Sequence, residues 1–227
     1  MSPIVIPLHP AGGKFGNNTE VRFALRSIER HFKGEFHLAV VSSQPPAWAV
    51  GVEWVDDGGK GLKTALRRAA ERFPDGFFWW YDDCVLLRDQ TPEELKVTLA
   101  CRRWTSAKTK WARSLEEVRA RLVKEGFKPW DYSRPHGPYW FDKGMVDEAF
   151  SDWPGLAGKF PFESWILSKR DWPRRHGNYK QYYGAFKSPP SERDVLLNYN
   201  DKGATETLMA WLWQRFSERC AHEKPWV

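Results

Sequence analysis

Two adjacent carboxylates, Asp82 and Asp83, interrupt the otherwise apolar run FFWWYDDCVLL. Burying both charges unpaired is prohibitive, so the pair is expected where an apolar strand reaches a polar, solvent-accessible end of a sheet. Carboxylates are hard oxygen ligands for Mg²⁺ or Mn²⁺. Such an ion neutralises a diphosphate and keeps positions open for its oxygens. The bland alternative is an Asp pair that only shapes a turn or caps a helix. A second kind of chemistry is available at Glu163 in KFPFESWIL, which stands among Phe160, Phe162 and Trp165. A carboxylate in such a setting has the raised pKa of a base that deprotonates a hydroxyl. A helix-start Glu favoured by the dipole is the other reading, with Asp142 and Asp171 as reserves. His136 in RPHGPYWFDK and His176 in RRHGNYK each precede a glycine and have basic neighbours. Either suits a phosphate contact, a place in a metal shell, or a plain surface position.

Basic and aromatic residues alternate in DWPRRHGNYKQYYGAFK, where Arg174, Arg175, Lys180 and Lys187 lie among Trp172, Tyr179, Tyr182 and Tyr183. Basic groups track phosphates and rings stack on bases or sugars, so an acceptor surface is expected there; a solvated basic loop is the alternative. Arg22 and Arg26, one helical turn apart, reach either a diphosphate or solvent. The 227 residues carry a net charge of +6, which favours polyanionic partners without choosing among them. Fourteen Trp and an aromatic share of 15% exceed what a core of this size needs. Three Cys show no metal-type spacing, and MSPIVIPLHP has neither a basic flank nor a long apolar run, so reduced thiols, no membrane span and a cytoplasmic location are expected.

The elements that position these groups are read from periodicity. PIVIPL is a strand, HPAGGKFGNN a loop, and TEVRFALRSIERHF an amphipathic helix from Thr19 to His31 with Val21, Ala24, Leu25, Ile28 and Phe32 on one face. FHLAVVSS and VEWVDD are strands, KTALRRAAERF is a second helix, and GFFWWYDDCVLL reads as one continuous fourth strand. TPEELKVTLACRRW and SLEEVRARLVKEGF are helices, residues 130–186 are loop-rich, SERDVLLNYN is ambiguous, and TETLMAWLWQRFSERC is a terminal helix. Strands alternating with helices imply one α/β domain, its mostly parallel sheet covered on both faces and its ligands bound beyond the carboxyl ends of the strands.

An apolar strand ending in YDDCVLL resembles the Asp-containing donor motif of glycosyltransferases with the GT-A fold, a Rossmann-like mostly parallel sheet flanked by helices. GGKGLKTALRRAAERFPDGFFWWYDD resembles the glycine loop, helix and metal-binding strand of such enzymes. More narrowly, NNTEVRFALRSIERHF, FHLAVVSSQPPAW, YDDCVLL and HGPYWFDKGMVDEAF are similar, in order, to blocks of the Stealth family of sugar phosphotransferases; IVIPLHPAGG stands where that family has its opening Trp-Val-Asp block. The resemblance implies that Asp83 binds metal, that Asp82 contacts metal or ribose, and that Pro7 and the loop around Gly12, Gly13 and Asn17 lie beside the nucleotide. It further places Asp56 at the base or ribose and Lys60 and Lys63 near phosphate, and gives His136 a place in the active site.

The expectation is therefore a GT-A-like α/β domain with a donor half to about Leu87 and an aromatic-rich helical and loop acceptor half. Its cofactors are Mn²⁺ or Mg²⁺ and a nucleotide-diphosphate sugar, taken as a UDP-sugar. Asp82, Asp83 and His176 are the metal set, with Glu163, Asp83 and His136 as the catalytic set. Trp172, Arg174, Arg175, Tyr179 and Lys180 would meet the acceptor, for which DNA carrying a hydroxymethylated base in a phage-infected cell is one candidate. Two alternatives stay open: transfer of a sugar phosphate, and a nucleic-acid-binding protein without catalysis.

Overall fold

In the computed structural model, the described residues are 1–8, 14, 19–100, 109–133, 136–153, 161–175, 179–182, 186 and 188–224. The first six elements follow the expected alternation. They are β1 (Ser2–Pro7), α1 (Thr19–His31), β2 (Phe36–Ser42), β3 (Glu53–Asp56), α2 (Leu62–Arg72) and β4 (Phe77–Trp79). After them come β5 (Cys84–Leu86), α3 (Pro92–Lys96), β6 (Thr98–Leu99), α4 (Lys110–Lys124), β7 (Tyr139–Phe141) and α5 (Lys143–Asp152). The rest are α6 (Phe162–Lys169), β8 (Arg174–Arg175), β9 (Tyr179–Tyr182), β10 (Leu196–Tyr199) and α7 (Glu206–Arg215).

The main sheet has the order β3-β2-β1-β4-β7, with every pair parallel except β4 with β7. Alternation along the strands divides the core. Val5, Ala39, Val41, Phe77 and Trp79 face one layer with α2, α4, α5 and α6. Ile4, Ile6, Leu38, Val40, Phe78 and Trp80 face the other, where α1 packs. The chain is thus a mixed α/β fold whose mostly parallel sheet is covered by helices on both faces, as the alternation of elements implies. Gly76 starts β4 at φ +129°, and a Cβ there would lie 2.2 Å from Trp140 of β7, so only glycine admits that ring.

Three expectations are corrected. GFFWWYDDCVLL is two strands, not one: β4 belongs to the main sheet, whereas β5 pairs antiparallel with β10 in a second sheet of order β5-β10-β9. The break at Tyr81–Asp83 lets the carboxylates leave the buried sheet. Among the described residues of TPEELKVTLACRRW only α3 is helical, closed at its start by a Thr91–Glu94 capping box and followed closely by β6. The described residues of 130–186 hold two helices and three short strands besides loops, because their many rings pack inward; Trp130, Tyr132, Tyr139, Phe141 and Trp165 are all buried.

The chain's far end is locked onto α1. Arg26 donates from Nε to Glu223 Oε1 at 2.6 Å and from Nη2 to Oε2 at 2.8 Å, and Arg22 Nη1 lies 3.3 Å from the same carboxylate. The Glu223 side chain has no solvent exposure. Burial pushes its pKa up, but the Arg26 hydrogen bonds and charge outweigh this and hold it below the ordinary carboxylate value. A depressed folded pKa supplies stability above the ordinary carboxylate range that is lost as pH falls through the folded value. We expect Glu223→Ala to cost about 3–5 kcal/mol, since the buried Arg26 guanidinium loses the carboxylate that holds it. Urea unfolding at pH 7 measures this, and Glu223→Gln should also flatten the acid limb of the stability profile.

Candidate active site

β1, β2 and β3 run parallel with β4, so their carboxyl ends share one edge, and the chain leaves β4 there. Trp79 and Trp80 are fully buried; Trp80 N–H donates to Val5 O at 2.9 Å and its indole to Cys84 O at 2.8 Å. This pins both sides of the turn that carries Tyr81, Asp82 and Asp83. Beside it opens a cleft of about 350 Å³ lined by Pro7, Leu8, Asp57, Gly59, Gly61, Leu62, Ala65, Tyr81 and Asp82. Its size falls within the range of small-molecule sites.

The two carboxylates have different surroundings. Asp83 is held by Asn198 of β10, whose amide donates to Asp83 Oδ1 at 3.0 Å and to its carbonyl at 3.2 Å. Its Oδ2 lies 3.4 Å from His136 Nδ1, an ion-pair distance longer than a good hydrogen bond. Asp82 is raised to about 7, first by burial, then by the charges of Asp83 and Glu20. Glu20, in the first turn of α1, is 5% exposed; Oε1 accepts from Lys14 N at 3.0 Å, and Oε2 has no hydrogen-bond partner among the described residues. Tyr199 OH is buried and likewise without one.

A second group continues from the first. The Tyr81 phenol donates to Glu163 Oε1, and its ring lies 5.0 Å from that of His136 at 33°. Glu163, in the first turn of α6, is 4% exposed, and burial raises its carboxyl above the ordinary value despite the Tyr81 hydrogen bond. Burial opposes protonation of His136, but Asp83, with Glu163 and Asp82, outweighs it and raises the imidazole. His136 sits at φ 37°, a left-handed conformation that costs a non-glycine residue about 1 kcal/mol or more and is concentrated at functional sites. The structure therefore brings Asp83, His136 and Glu163 into one chain of contacts: Asn198 to Asp83, Asp83 to His136, His136 to Tyr81, Tyr81 to Glu163. Asp82 stands beside Asp83 in the same turn and lines the cleft.

Other expected residues lie elsewhere. Pro7 lines the cleft. Asp56 does not: it is exposed and accepts Gly58 N–H in the turn after β3, while its neighbour Asp57 lines the cleft. Lys60 is exposed and Lys63 half-buried at the start of α2, next to the cleft residues Gly59, Gly61 and Leu62. Arg22 is corrected from both earlier readings, since it is 5% exposed and committed to Glu223 rather than to a diphosphate or solvent. The expected acceptor tract is divided between two small sheets. Trp172 donates to Lys96 O at 2.7 Å; Arg174 bonds Asp171 at 2.7 Å and covers the Trp130 ring at 4.2 Å; Arg175 pairs through its backbone with Leu99. Tyr179 and Lys180 pair with β10. Gly12, Gly13, Asn17 and His176 lie outside the described residues.

Sequence reasoning missed Tyr81, Asp57, Glu20 and Asn198 as site residues. Tyr81 and Asp57 were within reach, each adjoining a chosen Asp; Asn198 was not, because a pairing 115 residues apart leaves no local signal. Among the described residues, no three or more His, Cys, Asp or Glu group closely enough to hold a metal ion by themselves.

No family model and no curated protein matches the chain. Among solved structures, an active-site mutant of LgtC aligns at 12% identity and a TM-score of 0.49, and the galactosyltransferase LgtC in complex with donor and acceptor sugar analogs at 11% and 0.49. Each alignment covers 96% of this chain and 98% of the other.

Glu163 gives the site a measurable cost. A carboxyl whose folded pKa is raised adds nothing unfavourable below the ordinary carboxylate range, but it destabilises the fold increasingly as pH rises through the window. Glu163→Gln keeps an acceptor for Tyr81 and removes that charge. We expect it to raise the melting temperature at pH 8 by roughly 2–4 °C, the shift that about 1 kcal/mol makes in a chain of this size. The gain should vanish near pH 4 on thermal scans across about pH 4–8.

Proposed function

We propose that this chain is a metal-dependent glycosyltransferase that moves a sugar from a nucleotide-diphosphate donor to a hydroxyl acceptor. The observation that carries the reading is the placement of Asp82 and Asp83 in the turn at the carboxyl edge of a parallel sheet, beside a cleft walled by Leu8, Leu62, Ala65 and Tyr81. Ligands of open α/β sheets bind at that edge.

The residues present fit a divalent cation. Asp82 and Asp83 offer only hard oxygen donors, and Asp82 is raised to about 7 first by burial and then by the charges of Asp83 and Glu20, which a cation would offset. They would hold Mn²⁺ or Mg²⁺, which neutralises the diphosphate as it leaves. The chain's own groups do the rest. Asn198 fixes Asp83 in one orientation. Asp57 faces the cleft where ribose or base would lie, and Lys60 and Lys63 flank it with positive charge. The acceptor hydroxyl adds to the anomeric carbon as the bond to the diphosphate breaks; its proton passes to Glu163, whose raised carboxyl suits a base. Tyr81 holds Glu163 Oε1 and leaves proton transfer to the other oxygen. His136, raised by Asp83, supplies a cationic edge for the departing phosphate.

The test is product release from UDP-sugars and other nucleotide sugars with Mn²⁺ or Mg²⁺, with and without hydroxymethylated DNA. Nucleoside diphosphate is expected, lost with EDTA and lowered roughly 100-fold or more in Asp83→Asn. Nucleoside monophosphate would replace the proposal with sugar-phosphate transfer. Stimulation by the DNA would identify the acceptor class, and DNA binding with no release would mark a binding protein.

A further inference from the structure

A second cavity is larger than the one beside the acidic pair. It measures about 750 Å³ and lies between the C-terminal ends of α1 and α7, α3, and residues 87–90 and 190–195. β5 and β10 connect it to the site just described. Asn198 opposite Cys84 marks their end at Asp83, while Leu87 and Val195, bonded at 2.8 Å, mark the end at the cavity. About 13 Å of extended strand separates Asp83 from Leu87.

The charges that line it are unevenly committed. Among its acids, Asp89 pairs with His31 at 2.8 Å and Lys33 at 3.2 Å, Glu94 accepts from Thr91 N, and Asp194 accepts from Ser191 N and Oγ. Its two guanidiniums have no acidic partner among the described residues. Arg88 is exposed with no ion pair or hydrogen bond, and Arg215 donates to Leu87 O at 2.8 Å and packs over Trp211 at 5.6 Å. Burial and the nearby Arg30 both lower the Arg215 pKa, the sign of a cation without a counter-ion. Trp211 gives a flat apolar wall, and Glu192 is the lining carboxylate left without a partner among the described residues.

We infer that this cavity is a second binding site, for a sugar-sized anion: a saccharide carrying a phosphate or a carboxylate. Guanidiniums recognise either anion through paired hydrogen bonds, an indole face stacks on a sugar ring, and a free carboxylate accepts its hydroxyls. The inference does not rest on the proposed transfer reaction, because none of its residues belongs to that site.

Calorimetric titration of the full chain with glucose 6-phosphate, glucuronate and neutral glucose tests it. Saturable binding of either anionic sugar is expected, and which of them binds distinguishes phosphate from carboxylate; glucose should not bind. Arg88→Gln, at an exposed and unpartnered side chain, should weaken binding roughly tenfold. Asp83→Asn should leave it unchanged. Failure of both anionic sugars to saturate, equal binding of glucose, or an unaltered affinity in Arg88→Gln would overturn the inference.

Discussion

The cost of burying charge at the end of a wholly apolar strand governs this molecule. Phe77, Phe78 and Trp79 leave no water around β4, and Trp80 continues the dry path on the opposite face. Two ionised carboxylates cannot follow them inward, so the chain must turn at Tyr81 and start another sheet at Cys84. That turn places the acids at the sheet's carboxyl edge. It also brings in distant parts of the chain: Asn198 to hold Asp83, His136 to balance it, and the α6 carboxylate Glu163 behind Tyr81.

The same desolvation cost ties stability to function. Asp82, Glu20 and Glu163 all have raised carboxyls, and in each case burial is the leading cause. A fold selected for stability alone would pair or remove them. With Glu20 Oε2 unpartnered among the described residues and His136 in a left-handed conformation, these raised carboxyls make a polar pocket that, under the proposed function, a cationic ligand would relax. Two cations elsewhere have fixed partners: Arg26 on Glu223, and Arg174 on Asp171 and Trp130.

Local pattern made the Rossmann-like first half legible. The boundaries of α1 at Thr19 and His31 follow from its apolar face, and β1 and β2 from their continuous apolar runs. The break inside FFWWYDDCVLL was not legible from hydrophobicity, since β4 and β5 are equally apolar and part only because they join different sheets. Arg22 misled for a related reason: its charge suggested a ligand contact, while a partner far along the chain, Glu223, had already engaged it. In the candidate site the acids and His136 were readable by type; Asn198 was not, because tertiary pairing alone places it.

The central claim is that Asp82 and Asp83 exist to hold a cation against a nucleotide diphosphate. Calorimetric titration of UDP into the protein, with Mn²⁺ and then with EDTA, tests it most directly. The account predicts saturable binding that needs the metal and is lost in the Asp82→Asn, Asp83→Asn double variant. Equal affinity without metal, or unchanged binding in the double variant, would contradict it.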